Sequence, residues 1–229
     1  MQDVLLDIEG TTSSVSFVHD VLFPYARARL GDFVAENADD PKVAAELARA
    51  KESLRERGWP HGSRDEVVSG LVRFIDEDVK DTALKALQGM VWRSGYETDA
   101  YRAHFYPEVP DALRRWRDRG LRLSVYSSGS VEAQKLFFRY AEAGDLTGLV
   151  HAHFDTTAGP KREAGSYRAI AAALARPPEA ILFLSDVPAE LDAAAAAGLR
   201  TAQLVRPGTT AGEGHPSFPD FDAVERQLL

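Results

Sequence analysis

Asp7 and Glu9 flank a single isoleucine in LLDIEGTTSS, a stretch that runs on into Gly10, two threonines and two serines. An apolar strand that merely stopped at a surface would need only one turn residue. Two acids this close repel each other unless something positive lies between them. Asp186, in LFLSDVPAELDAAAAAG, ends a second apolar run. Brought together, Asp7 and Asp186 can hold a hard dication such as Mg²⁺, which takes a few carboxylates, several waters and phosphate oxygens. That ion would supply the missing positive charge and neutralise an incoming phosphate. Asp7 can then act as a nucleophile on phosphorus, giving an aspartyl-phosphate. Glu9 can protonate the leaving oxygen and afterwards activate water. Ser127, in VYSSGS, can bind a phosphoryl oxygen through its hydroxyl. Ser128 and Gly129 offer backbone N–H groups near a helix start, where anions are favoured. Lys161, in AGPKREAGSY, places a point charge between phosphate and nucleophile.

Each feature has a plain structural alternative. A DxE at a strand end is often a turn, SSGS a loop and N-cap, Lys161 a solvated lysine, and Asp186 the cap of the helix after it. What joins them is the elements that must position them. Val4 to Leu6 reads as a fully buried strand of a parallel sheet. From about Val15 to Tyr106 no strand is evident and helix signals are dense. Asp40 caps a helix with Pro41 at its first position and Gly58 past its end. Ser63 and Glu66 have capping-box spacing. A further helix starts at Thr82 and stops near Gly95. Then helix and strand alternate. PDALRRWRDRG precedes the strand LRLSVY, and a helix from about Val131 to Ala141 precedes a short strand at His151 to Phe154. The helix REAGSYRAIAAALA, strand ILFLS, helix PAELDAAAAAG, strand TAQLV and a last amphipathic helix follow.

This order predicts an α/β fold with a Rossmann-like parallel sheet and right-handed crossovers. The core comprises 1–14 and 107–229, with a helical cap, 15–106, inserted after the first strand. In such sheets ligands bind beyond the carboxyl ends of the strands. Asp7 with Glu9, Ser127 with Ser128, the segment before Lys161, and Asp186 all fall at strand ends, so residues distant in sequence converge on one edge.

Composition narrows the class. The chain has 229 residues and a formal net charge of −8, a field that repels polyanions, so neither nucleic acid nor an anionic membrane surface is an expected partner. With no cysteine, a disulfide framework, a thiolate metal site and a cysteine nucleophile are excluded. The N-terminus has no basic signal segment and no apolar run is long enough to span a bilayer, so the expected location is the cytoplasm.

Taken in order, LLDIEGTT, VYSSGS, Lys161 in AGPKREAGSY and LFLSDVPAELDAAAAAG resemble the four motifs of the haloacid dehalogenase-like phosphohydrolases. The longer stretches DIEGTTSSVSFVHDVLFPYA, LQGMVWRSGY and YSSGSVEAQKLFF are similar to the enolase-phosphatases of methionine salvage. The resemblance implies a Mg²⁺-dependent, bifunctional, monomeric enzyme. Its substrate would be a small phosphate ester, 2,3-diketo-5-methylthiopentyl-1-phosphate, which is enolised and then dephosphorylated to an acireductone. It further implies that Asp7 is nucleophile and metal ligand, that Glu9 gives the metal its backbone carbonyl, and that Asp186 completes the ligands. Ser127 and Ser128 would hold the substrate phosphate, with Lys161 as the third-motif lysine. The broad pattern has Asp where Glu9 stands, a departure that the enolase-phosphatases share. Glu190 ranks below Asp186, as either a water-mediated metal contact or a first-turn acid favoured by the helix dipole. Asp192 reads as structural.

Enolisation needs a base within hydrogen-bond reach of the carbon acid. The longer arm of Glu9 makes it the expected one. Phe17, Trp92, Arg93 and Tyr96 are candidate lining for the methylthio end, and His19 and His104 candidate proton carriers, with packing or surface roles as their alternatives. Two rival readings remain at this point: a plain phosphomonoesterase of the same superfamily, and a phosphate- and metal-binding regulatory protein without turnover.

Overall fold

A computed structural model describes residues 3–229. In chain order the elements are β1 (Asp3–Leu6), α1 (Val15–Phe17), a π-helical turn (Val18–Leu22), α2 (Phe23–Glu36), α3 (Pro41–Glu56), α4 (Arg64–Asp76) and α5 (Thr82–Glu97). There follow α6 (Val109–Asp118), β2 (Arg122–Tyr126), α7 (Val131–Arg139), β3 (Val150–Phe154), α8 (Ala164–Ala173), β4 (Ile181–Ser185), α9 (Pro188–Ala196), β5 (Arg200–Leu204), β6 (Ser217–Phe218) and α10 (Phe221–Leu228). The chain divides into two compact units, one of the N-terminal residues up to Phe17 with Arg102–Leu229, the other of Val18–Tyr101. No helix among the described residues is long and apolar enough to cross a membrane.

The first unit is a six-stranded sheet in the order β3-β2-β1-β4-β5-β6, every pair parallel. The apolar runs of β1 and β4 are buried along their whole length, as strands covered on both faces must be. Leu5 and Phe183 pair in register and face α8 and α9, where the Tyr167 ring lies 5.1 Å from that of Phe183. On α6, Trp116 stacks on Phe221 of α10 with ring centroids 5.1 Å apart. Each such fully buried side chain contributes about 1.5–3 kcal/mol, which makes the sheet a rigid support for its strand ends. The alanine run of α9 buries Ala193 and Ala194. Its small side chains let the helix approach β4 and β5 closely.

β6, which sequence reading missed, is two residues long, too short for any periodicity to register. The helix predicted from Val131 ends at Arg139 rather than Ala141.

The second unit packs α2–α5 around Leu30, Val34, Leu54, Leu71, Phe74, Leu87 and Val91. Asp40 accepts from the Lys42 N–H, and Ser63 with Glu66 closes a capping box. Gly95 does not end α5, which continues to Glu97. A Cβ at Gly95 would fall 2.6 Å from the Tyr101 ring and 2.7 Å from the Tyr25 ring, so the glycine makes room for two aromatics.

Candidate active site

β1 lies between β2 and β4, with Leu6 paired to Val125 on one side and to Leu184 on the other. The strand ends therefore come level. The Asp7 N–H still donates to Leu184 O at 3.0 Å, so Asp7 sits at the last rung of the ladder. Beyond it the chain turns sharply. The N–H groups of Thr11, Thr12 and Ser13 converge on Ile8 O at 3.2, 3.0 and 2.9 Å. This turn uses the hydroxyl run. Thr11 Oγ1 donates to Asp7 Oδ2 at 3.3 Å, and Thr12 Oγ1 donates to Ile8 O at 3.2 Å.

Lys161 reaches the same point from the loop before α8. Its carbonyl accepts from the buried Tyr167 hydroxyl at 2.7 Å, and Gly159 O accepts from the Tyr126 hydroxyl at 2.8 Å. The loop thus hangs from two tyrosines rooted in the core. The Lys161 ammonium stands 2.6 Å from Asp7 Oδ1 and 2.6 Å from Glu190 Oε2. Burial pushes this ammonium down, but the two carboxylates outweigh that and hold it above the ordinary lysine range. Glu190 is pushed up, first by burial and then by the Asp7 charge. Its Oε2 also accepts from Ser185 Oγ at 3.1 Å. Glu190 therefore belongs to the cluster, through a lysine that sequence spacing alone does not connect to it.

Asp186 follows β4. It does not cap α9, whose N-cap is Val187 and receives no side-chain bond. Its N–H donates to Thr11 Oγ1 at 3.0 Å, so one threonine hydroxyl bridges Asp7 and Asp186. Asp186 Oδ1 is buried without a hydrogen-bond partner. Burial, and then the charge of Asp7, push this carboxyl up to about 6. Gly10 lies against it: at φ +75°, a Cβ there would sit 2.2 Å from Asp186 Oδ2.

The cluster holds three carboxylates, of Asp7, Asp186 and Glu190, against one ammonium. A buried carboxylate oxygen without a donor, in a group short of positive charge, fits a hard dication. Among the described residues no three acidic or histidine side chains form a ready-made cage. A few carboxylates with positions left open for water and phosphate suit Mg²⁺ better than a full protein shell.

The structure brings Asp7, Lys161 and Asp186 together, with Thr11 and Glu190 added. The Glu9 side chain is exposed at the turn. Ser127 is buried beyond the end of β2, beside β1, and its Oγ accepts from the Gly129 N–H at 3.2 Å. Ser128 is exposed, and Ser130 is the residue that caps α7. Asp192 is 72% exposed and pairs with His215. Trp92 donates to Leu22 O and packs on the helical core, and Tyr96 is buried beside Tyr101. His104 accepts from the Ser14 N–H through Nδ1, which puts the proton of its neutral ring on Nε2.

A parallel sheet of this order, with an acid turn after its first strand and a buried lysine and second acid at neighbouring strand ends, defines a class, that of the haloacid dehalogenase-like hydrolases. The family model of that name matches residues 3–198. The enolase-phosphatase E1 of Sorangium cellulosum is 58% identical over 225 residues, 96% of each chain, and that of Erwinia tasmaniensis 50% identical over 99% of this chain and 97% of its own. The crystal structure of the UTR4 protein of Saccharomyces cerevisiae superposes with a TM-score of 0.82 at 32% identity, over 100% of this chain and 99% of that one. The chain belongs to the enolase-phosphatase family and is a hydrolase.

Proposed function

We propose that this chain is a Mg²⁺-dependent enolase-phosphatase that turns 2,3-diketo-5-methylthiopentyl-1-phosphate into 1,2-dihydroxy-3-keto-5-methylthiopentene and phosphate. The observation that carries this reading is the Asp7 carboxylate. One oxygen faces the Lys161 ammonium at 2.6 Å, the other accepts from Thr11, and Asp186 presents a partnerless oxygen next to the same threonine.

Asp7, Asp186 and the Glu9 carbonyl would hold Mg²⁺, which, when bound, draws charge from the carbonyl and phosphoryl oxygens of the substrate. The remaining chemistry is assigned to the chain's own groups. Glu9 removes the proton alpha to the carbonyl and delivers it to the carbonyl oxygen, which gives the enol phosphate. Asp7 attacks phosphorus, the P–O ester bond breaks, and Glu9, having taken up a proton from solvent, passes it to the leaving oxygen. Glu9 then activates the water that hydrolyses the aspartyl-phosphate and frees Asp7. Lys161 offsets the negative charge that gathers on nucleophile and phosphoryl group, while Ser127, Ser128 and the Gly129 N–H hold the phosphoryl oxygens. The exposed Glu9 side chain suits a group that exchanges protons with substrate and water. The division into a core of 1–14 with 107–229 and a cap of 15–106, a monomeric state and a cytoplasmic location stand as parts of the same proposal.

The test compares phosphate release from the diketo ester with release from a simple sugar phosphate, each with and without Mg²⁺. A preference for the diketo ester of at least about 100-fold in kcat/KM is expected, with loss of release in Asp7→Asn. Equal rates on both esters would leave a plain phosphomonoesterase. Phosphate binding without release from either would leave a regulatory protein.

A further inference from the structure

The end of β5 holds a buried arginine that the proposed chemistry does not use. Arg206 is 5% exposed, two residues past β5. Its Nε and Nη2 both donate to Thr11 O, at 3.2 and 3.0 Å. Nη2 also pairs with Glu108 Oε1 at 2.7 Å, Nη1 donates to Pro219 O at 3.1 Å, and the guanidinium lies 4.0 Å from the centre of the Tyr106 ring. The backbone is fixed as well, since the Arg206 N–H donates to Thr209 Oγ1 and the Thr209 N–H returns to Arg206 O.

What the guanidinium grips is the residue that joins the two acids. Thr11 is fully buried, donates its hydroxyl hydrogen to Asp7 and accepts the Asp186 N–H on the same oxygen. With its carbonyl forked by Arg206, the backbone that carries this hydroxyl is held in place. Gln203, in β5 itself, adds a second tie by donating Nε2 to Asp186 O at 3.0 Å.

We propose that Arg206, neutralised by Glu108, is a positioning residue that holds Thr11 so that Asp7 and Asp186 keep the spacing a divalent cation needs. The proposal rests on the functional reading above. A lysine can keep the ion pair with Glu108, but it has no planar fork for the Thr11 carbonyl. Outer-shell partners of this kind change metal affinity or activity by about 10–100-fold when replaced.

The experiment measures Mg²⁺ binding by calorimetry on the full chain without substrate, beside thermal unfolding and phosphate release, for wild type, Arg206→Lys and Arg122→Lys. Arg122, half-buried, forms an ion pair with the fully buried Asp3 at the other end of the strands and serves as the control. Arg206→Lys should bind Mg²⁺ about 10-fold more weakly and lose about 10–100-fold in kcat, with KM within about threefold. Arg122→Lys should lose thermal stability and keep both values. If folded Arg206→Lys binds Mg²⁺ as wild type does, or if both variants weaken it alike, Arg206 is only a structural staple. Should Arg206→Lys fail to fold, Glu108→Gln, which keeps the fork but removes its counter-charge, must still weaken Mg²⁺ binding, and unchanged binding there overturns the proposal. A wild type that binds Mg²⁺ but releases no phosphate would sink the functional reading alone, because the calorimetry reads the brace without turnover.

Discussion

Lys161 Nζ lies 2.6 Å from Asp7 Oδ1 across 154 residues of sequence, and the same ammonium lies 2.6 Å from Glu190. One buried cation thus separates two buried acids. Removing one partner of such a group costs far more than the group as a whole contributes, because the other charges are left without compensation.

Lys161→Met should therefore lose about 3–5 kcal/mol in urea unfolding at neutral pH. Part of that loss should return as pH falls and the stranded carboxylates take up protons. Phosphate release should drop by about 100-fold or more. A variant as stable as wild type at neutral pH would show that the carboxylates do not depend on the lysine.

Gly10→Ala tests the contact between the first turn and Asp186. A methyl group 2.2 Å from Asp186 Oδ2, at φ +75°, must displace the carboxylate and strain the turn. A stability loss of about 1–3 kcal/mol is expected from the backbone. Mg²⁺ affinity, read by calorimetry, should fall by at least about tenfold. Unchanged affinity would remove Asp186 from the metal site.

His153 gives the fold a defined acid weakness. Gln134 Nε2 donates to Gly129 O and to Phe154 O, so its Oε1 must accept, and His153 Nδ1 carries the hydrogen that it accepts. Burial, and then the charge of Lys135, push His153 down to about 4 from an ordinary 6.5. The unfolded chain binds the proton first, so stability falls as pH drops from about 6.5 towards 4 and is unaffected above that window. The Tm of His153→Gln, which keeps a donor for Gln134, should fall less steeply over the same range. Parallel curves would place the acid sensitivity elsewhere.

The fold was legible because its signals are local. VLLDI and ILFLS are apolar runs ended by acids, and Ser63 with Glu66 names its own cap. Helix ends and β6 were less legible. Gly95 reads as a stop signal until the Tyr25 and Tyr101 rings show why no side chain fits there. At the site, Asp7, Lys161 and Asp186 stood out because each closes a strand or its loop with a charge. Thr11 was visible only as one hydroxyl in a run of four, and its bridging role depends on which strand lies next to β1. Glu190 stood out only as an acid in the first turn of the helix after Asp186, and Arg206 carried no signal at all. The pairing of Glu190 with Lys161, and of Arg206 with Thr11 O, arises from sheet order, and nothing in their own neighbourhoods announces it. The run of hydroxyls after the two acids is thereby explained: it folds the turn and ties Asp7 to Asp186.

The most direct measurement is a paired anaerobic time course on the diketo phosphate ester with Mg²⁺, following enol ultraviolet absorbance and released phosphate in one sample. The enol signal should lead phosphate in wild type, and Glu9→Gln should slow both. Enolisation at a near-normal rate in Glu9→Gln, with dephosphorylation collapsed, would take the enolising role from Glu9. Phosphate release with no enzyme-dependent enol in wild type would contradict the two-step account itself.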